Sequence, residues 1–273
     1  MLSDVRCVYS YVASQFACVP AEERSADMLL SVVIPVYNEE KTIKNSVCKL
    51  TDYLRSLDVP FEVLISDDGS RDSGIGIVSS LSQKYSEIRL LCNPLNRGKG
   101  AAVRDGMLSA KGDFIIFTDC DLAYGENVIG DIFHRLKNGV SDIIIGSRTL
   151  HPDGYEGYSP FRKAVSENYL KLLNRVMKIP HSDFQCGLKG FTKEARDKIF
   201  PHCRVNGYAF DLEVLTVAKK QGLSVSEIPV KVLSETKHRA KLKMLPEAFK
   251  MIRDVNKIKK EASTELIGKG EEN

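Results

Sequence analysis

The stretch "FIIFTDCDLAYGE" (residues 114–126) leads an apolar, β-type run directly into two aspartates, Asp119 and Asp121. Residues two apart in a strand point to the same side, so both carboxylates can reach one ion just past the strand end. Mg²⁺ and Mn²⁺ prefer such oxygen ligands and often bind through one or two carboxylates together with substrate phosphates. The alternative interpretation is a plain turn, since aspartate is common where strands end.

Strands and helices alternate along the chain around this stretch. The predicted strands cover 31–37, 61–68, 88–93, 113–121, 142–148, 186–191 and 223–230. The predicted helices cover 39–57, 72–85, 99–111, 126–138, 160–178, 192–200 and 210–221. Near-continuous apolar strands between amphipathic helices predict an α/β fold, in which a mostly parallel twisted sheet carries helices on both faces.

The composition is that of an ordinary globular protein, with 43% hydrophobic and 27% charged residues among 273. A net charge of +3 argues against nucleic acid as a general partner. The seven cysteines contain no Cys-x-x-Cys pair, which favours reduced thiols in the cytosol. We find no signal-peptide pattern in 1–27 and no apolar run of the ~18–20 residues that span a bilayer, so we expect a cytoplasmic protein without a transmembrane segment.

Acidic residues also gather at the ends of the first two predicted strands. "PVYNEE" brings Glu39, and "SDDGSRD" brings Asp67 and Asp68. Because ligands bind at the carboxyl ends of parallel strands, these acids are expected to join Asp119 and Asp121 at one edge. Such a cluster needs a cation or hydrogen-bond donors to offset its repulsion. A nucleotide with a metal-bound diphosphate supplies both, although "DDGS" is also typical of a simple turn.

The segment "NRGKGAAVRDGM" (96–107) places Gly98, Lys99 and Gly100 at a strand-to-helix turn. Glycines allow close approach of a ligand, and a helix N-terminus beside a lysine favours anions. The spacing is not that of a Walker A loop. It therefore predicts a phosphate contact at Lys99, with an unliganded turn as the alternative.

Several motifs in this order resemble those of family 2 glycosyltransferases of GT-A (Rossmann-like) fold, from residue 30 to about 260. Those motifs are "VVIPVYNEE", "DDGSRD", "NRGKGAAVRDGM", "DCDLAYGE", "GSR", "SDFQCGLKGF", "FDLEVL" and "KMLPEAFKMIRD". Within the family the chain is most similar to polyprenyl-phosphate (dolichyl-phosphate) hexosyltransferases. The Gln-Cys-Gly segment and the tail resemble the glucosyltransferase branch.

The resemblance implies a set of site residues. The resemblance implies that Pro35, Tyr37, Glu39, Asp68 and Asp119 bind the nucleotide, and the glycine-rich turn adds Lys99 to this set. Asp119 and Asp121 would hold Mg²⁺ or Mn²⁺ on the diphosphate. Those implied for the acceptor phosphate are Arg148, Arg162, Ser166 and Lys241. The predicted catalytic residues among them are Asp121, Arg148 and Arg162.

The acceptor residues also have support from the sequence pattern. Arg162 and Ser166 are four apart in a predicted helix and so share a face. Arginine suits bidentate recognition of phosphate. Lys241 follows Ala240 where the family carries a Ser-Lys pair, and its charge would still suit a phosphate.

The predicted function is inverting transfer of a hexose from UDP-glucose, or secondly GDP-mannose, to a polyprenyl phosphate at the cytoplasmic membrane face. An acceptor phosphate is already anionic, so no general base is assigned. Asp183 or Asp211 becomes a candidate base if the acceptor is a hydroxyl.

One alternative function is that of a transferase of the same fold that acts on a soluble glycan or natural product, and another is that of a non-catalytic nucleotide-sugar-binding protein. A sugar-1-phosphate nucleotidyltransferase would need a Gly-rich first loop, which "PVYNEE" lacks.

The chain is predicted to have three parts: an extension (1–27), the GT-A domain (28–235) and a basic amphipathic segment (236–273). Residues 237–260 contain nine Lys or Arg and two acids. The predicted helix there places its apolar residues on one face, namely Ala248, Met251, Ile252, Val255 and Ile258. Such a helix predicts peripheral contact with an anionic membrane, with packing on the core as the alternative.

Overall fold

The computed structural model describes residues 28–156, 158, 168, 173, 175, 177, 179–233, 253–255 and 257–258. The strands are β1 (Leu30–Val36), β2 (Phe61–Asp67), β3 (Ile88–Cys92), β4 (Phe114–Thr118), β5 (Ile143–Ser147), β6 (Leu188–Thr192) and β7 (Val225–Pro229). The helices are α1 (Ile43–Arg55), α2 (Gly74–Lys84), α3 (Lys99–Ser109), α4 (Asn127–Lys137), α5 (Lys193–Ile199) and α6 (Phe210–Lys220).

All seven strands form one sheet in the order β3-β2-β1-β4-β6-β5-β7. β6 alone among them runs antiparallel to its neighbours, with Leu188 opposite Thr118 and Thr192 opposite Phe114. The residue before β6, Gly187, therefore lies at the carboxyl edge of the parallel strands. The predicted mostly parallel sheet is confirmed.

Apolar side chains project from both faces of the central strands. Val32 and Ile34 of β1 pack into a core with α1 and α4, whereas Val33 packs into a second core with α3, α5 and α6. In β4, Ile116 joins the first core and Phe117 the second. A strand buried on both faces is apolar at every position, which explains the near-continuous runs in the sequence.

The C-terminal segment is described only in part. Residues 253–255 and 257–258 are helical; Val255 and Ile258 are buried in the second core, while Arg253 and Lys257 are exposed. Residues 1–27 and the rest of the predicted basic segment lie outside the described residues, as does most of the helix predicted over 160–178. Across the described part of the chain, no helix combines the length and apolarity that crossing a bilayer requires.

Candidate active site

A cleft of about 540 Å³ opens at the carboxyl edge of β1, β2 and β4. Its lining includes seven residues predicted from the sequence, namely Pro35, Tyr37, Glu39, Asp68, Lys99, Asp119 and Asp121. This edge is where open α/β sheets bind their ligands. The structure therefore brings the predicted nucleotide and metal residues together around one space.

The two aspartates that follow one another at the end of β2 have different partners. The Asp67 carboxylate accepts hydrogen bonds from the Gly69 and Ser70 backbone N–H groups, both at 3.0 Å, and closes a local turn. The Asp68 carboxylate accepts from the backbone N–H groups of Arg97, at 2.9 Å, and Gly98, at 2.8 Å. Asp68 thus joins the end of β2 to the turn that carries Lys99.

That turn requires glycine because another loop packs directly on it. Gly98 has φ +110°, and a β-carbon there would lie 2.5 Å from the carbonyl oxygen of Asn206. The Gly100 N–H donates to the same oxygen at 2.8 Å. On the far side of this loop, the Glu213 carboxylate accepts from the Arg204 and Val205 N–H groups, both at 2.8 Å. Lys99 consequently enters the cleft at the first residue of α3.

Lys99 forms an ion pair with the first aspartate of the Asp-x-Asp motif. Its Nζ lies 2.5 Å from Oδ1 of Asp119, and its side chain is 27% exposed. Burial alone would lower the pKa of Lys99, but the carboxylates of Asp119 and Asp211 outweigh burial and raise it. Lys99 is therefore a cation at neutral pH. The second aspartate, Asp121, accepts a hydrogen bond from the Ala123 N–H at 3.1 Å.

A second ion pair lies buried behind the first. The Lys189 side chain is fully buried, with Nζ 2.5 Å from Oδ1 of Asp211 and 2.6 Å from the Cys186 carbonyl oxygen. Burial raises the pKa of Asp211, while Lys189 and Lys99 act against that rise. Acids and lysines thus alternate from Asp119 through Lys99 and Asp211 to Lys189.

Arg148, at the end of β5, forms a buried ion pair with Asp183. Its Nε and Nη2 donate to Oδ2 at 2.6 Å and Oδ1 at 2.8 Å, and its backbone N–H donates to Oδ2 at 3.0 Å. Burial opposes the charge of Arg148, but Asp183 raises the guanidinium pKa above its ordinary value. Nη1 lies 3.3 Å from the Tyr158 hydroxyl. Within the described residues, Arg148 stands outside the cleft lining.

The turn that carries Asp183 is held in place by β7. Glu227 accepts hydrogen bonds from the Ser182 N–H at 3.0 Å, the Ser182 hydroxyl at 2.6 Å and the Asp183 N–H at 3.3 Å. Asp183 and Asp211 are thus both engaged by cations, as structural residues would be. The three other predicted acceptor residues, Arg162, Ser166 and Lys241, lie outside the described residues.

The donor set in the cleft fits a divalent metal that also binds a phosphate. No group of three or more His, Cys, Asp or Glu capable of holding an ion occurs in the part of the chain that the structure describes. Asp119 and Asp121 nevertheless line the same cleft, and Mg²⁺ commonly combines one or two carboxylates with substrate phosphates and water. The residues present are therefore compatible with Mg²⁺ or Mn²⁺ on a diphosphate.

Sequence reasoning missed some lining residues, including Asn96, Gly207 and Tyr208. Tyr208 is 57% exposed and follows a glycine just before α6. An aromatic residue between a glycine and a helix start was the available signal. Gly187 was also missed: a β-carbon there would overlap the Asp119 carboxylate, so this glycine leaves room for the Asp-x-Asp motif.

Comparison with known proteins places this chain in a family. Residues 31–200 match the model of "Glycosyl transferase family 2". A dolichyl-phosphate beta-glucosyltransferase of Trichomonas vaginalis is 32% identical over 213 residues, covering 74% of this chain and 64% of that protein. The enzyme of the same name from Dictyostelium discoideum is 32% identical over 216 residues, covering 75% and 66%. This chain thus spans just under two thirds of the length of these two relatives.

Solved structures agree on the fold. Glucosyl-3-phosphoglycerate synthase of Mycobacterium tuberculosis superposes with a TM-score of 0.62 at 20% identity, covering 87% of this chain and 81% of that one. Mannosyl-3-phosphoglycerate synthase of Rubrobacter xylanophilus gives 0.64 at 15% identity, covering 84% and 73%. The predicted GT-A fold is confirmed. The family match covers more than half of the residues of this chain, which therefore belongs to glycosyltransferase family 2.

Proposed function

We propose that this protein transfers glucose, with inversion, from UDP-glucose to a dolichyl or other polyprenyl phosphate. The observation that carries the proposal is the cleft that Tyr37, Lys99 and the Asp119–Asp121 pair line together. The names of the relatives, dolichyl-phosphate beta-glucosyltransferases, support the choice of sugar and acceptor.

The donor is bound by residues from four loops, which follow β1, β2, β3 and β4. Tyr37 is 44% exposed and offers a ring face to the base, while Glu39 and Asp68 offer acceptors for base or ribose donors. Lys99, at the N-terminus of α3, adds a positive charge for the diphosphate. Asp119 and Asp121 would hold Mg²⁺ or Mn²⁺, which, when bound, neutralises charge that develops on the departing nucleotide.

The acceptor phosphate is bound on the β5 side of the site in this proposal. The Nη1 edge of Arg148 is directed to the Tyr158 hydroxyl rather than to Asp183, so a phosphate would reach Arg148 at this edge, in place of that hydroxyl. Arg162, Ser166 and Lys241 would complete the phosphate site. A phosphate nucleophile needs no general base, which agrees with the engagement of Asp183 and Asp211 in ion pairs.

The test is product formation from UDP-glucose or GDP-mannose with dolichyl phosphate, with Mg²⁺, Mn²⁺ or a chelator. We expect a metal-dependent glycolipid from UDP-glucose that disappears in Asp121→Ala. The matched control is Asp131→Ala, an exposed position on α4, and it should retain activity. Donor binding or hydrolysis without a glycolipid would move the acceptor to a soluble molecule. The absence of donor binding by the wild-type protein would overturn the proposal.

Peripheral membrane contact through the basic C-terminal segment is part of the same proposal. Arg253 and Lys257 are exposed on a helix whose Val255 and Ile258 face the core, so these charges point away from it. Cosedimentation with anionic vesicles should occur at low salt and be lost at high salt. Equal recovery in the supernatant with and without vesicles at low salt would contradict membrane contact.

A further inference from the structure

One oxygen of the Asp119 carboxylate is paired with a lysine, and the other lies against a glycine. Oδ1 is 2.5 Å from Nζ of Lys99. Oδ2 faces Gly187 so closely that a β-carbon at that position would overlap it. A metal ion that approaches this carboxylate from the cleft therefore meets a position that a lysine already occupies.

A second carboxylate, Asp211, also acts on the charge of Lys99. Asp119 and Asp211 both raise the pKa of Lys99, and Asp211 is itself anchored by Lys189 at 2.5 Å. Lys99 and Asp121 both line the cleft. Nζ can therefore move from Asp119 toward a ligand in the cleft and remain within a favourable field.

We infer that Lys99 is a built-in counter-cation that exchanges with the divalent metal on Asp119. In the free protein Lys99 occupies the carboxylate; when donor and metal bind together, the metal takes the carboxylate and Lys99 moves to the diphosphate. This inference rests on the proposed donor site and adds a regulation to it. Its consequence is that metal binds weakly until a nucleotide is present.

The exchange predicts that one substitution at Lys99 changes metal affinity and nucleotide affinity in opposite directions. Two cations repel each other at a single carboxylate oxygen, so Lys99 competes with the metal when no nucleotide is bound. With a nucleotide present, Lys99 has the diphosphate as a partner and supports binding. Removing its charge should strengthen metal binding to the free protein and weaken nucleotide binding without metal. A purely structural role of Lys99 would weaken both.

The experiment measures Mn²⁺ binding without nucleotide, by electron paramagnetic resonance of free Mn²⁺, and UDP binding in a chelator, by calorimetry. In Lys99→Met we expect Mn²⁺ affinity to rise about tenfold or more, since one charge-assisted hydrogen bond no longer has to be broken. We expect metal-free UDP affinity to fall by a similar factor. Lys99→Arg keeps the charge and should retain weak Mn²⁺ binding. Lys193→Met, at an exposed lysine of the opposite sheet edge, is the control and should change neither affinity.

The inference is wrong if Lys99→Met leaves Mn²⁺ affinity unchanged or lowers it while circular dichroism shows a folded protein. If the Lys99→Met variant does not fold, the same measurements are made on Lys99→Gln. Failure of the donor proposal has a different signature, because the wild-type protein would then bind no UDP with or without metal. UDP binding by the wild type together with unchanged Mn²⁺ affinity in the variant would retain the donor site and discard the exchange.

Discussion

The guanidinium of Arg148 donates two near-parallel hydrogen bonds to Asp183, from Nε to Oδ2 at 2.6 Å and from Nη2 to Oδ1 at 2.8 Å. Asp183 is fully buried and the Arg148 side chain is 11% exposed. One edge of the arginine thus holds the 181–183 turn against β5, while Nη1 is directed to the Tyr158 hydroxyl.

Removing one partner of this pair should destabilise the protein strongly. Asp183→Ala leaves a largely buried guanidinium unpaired, so we expect the free energy of unfolding to fall by about 3–5 kcal/mol. Denaturant titration measures it. Glu194→Ala, which breaks the exposed Lys198–Glu194 pair, serves as the control and should cost less than about 1 kcal/mol. Equal small losses in both variants would show that the Arg148 pair does not stabilise the fold.

Gly187→Ala should damage the site more than the fold. The new β-carbon would overlap the Asp119 carboxylate and displace it from its position beside Lys99. We expect the proposed metal-dependent glucosyl transfer to fall by about tenfold or more, equivalent to about 1.4 kcal/mol of transition-state stabilisation. Initial rates across a Mn²⁺ titration measure the loss.

The control for that substitution is Gly76→Ala on α2. A β-carbon at Gly76 would have no heavy atom within 4 Å, and alanine is favoured over glycine in helices. We expect unchanged transfer rates and a gain of about 0.5–1 kcal/mol in the free energy of unfolding. Retained activity in Gly187→Ala would contradict the role assigned to that glycine.

Glu62 should make stability depend on pH in the acid range. Burial raises the pKa of Glu62, but hydrogen bonds from Ser31, the Lys111 N–H and Arg89 outweigh burial and hold the pKa below its usual 4.5. A lowered carboxyl pKa means that the stabilisation is present above pH 4.5 and is lost as pH falls through the folded-state value. Glu62→Gln should therefore cost about 2 kcal/mol at pH 7 and progressively less below pH 4.5.

Unfolding free energies at about pH 7, 5, 4 and 3 test this dependence. Glu194→Gln, an exposed glutamate, is the matched control and should leave the pH profile unchanged. A difference between wild type and Glu62→Gln that stays constant down to pH 3, about 1.5 units below the usual pKa, would contradict the assignment.

Tyr37 should contribute to nucleotide binding through its ring. Tyr37→Ala is expected to weaken UDP binding about tenfold, because stacking of a base on an aromatic ring is worth about 1–3 kcal/mol. Tyr37→Phe keeps the ring and should bind nearly as well. Tyr85→Ala, beyond the far end of α2, is the control for loss of a partly exposed tyrosine. Calorimetry with UDP decides, and unchanged binding in Tyr37→Ala would remove this residue from the donor site.

Local patterns in the sequence were sufficient to predict most strands of the sheet. β1, β2 and β4 were predicted because each is a short, near-continuous apolar run, and a run buried on both faces has that composition wherever it occurs. The grouping of Glu39, Asp68, Asp119 and Asp121 also followed, since parallel strands end at one edge. The strand predicted over 113–121 extends beyond β4, which ends at Thr118, because the two aspartates already belong to the turn.

The tertiary structure decided the direction of β6 and the partners of the buried charges. β6 runs antiparallel because its chain enters from the carboxyl edge, next to Gly187, and no pattern within its five residues encodes that approach. Lys99 pairs with Asp119 across 20 residues and Arg148 with Asp183 across 35. Coulomb attraction depends on distance in space, whereas composition and periodicity report only on neighbours along the chain. The sequence by itself therefore determined that four acids meet at the sheet edge, and only the folded chain determined that Lys99 holds Asp119 and Arg148 holds Asp183.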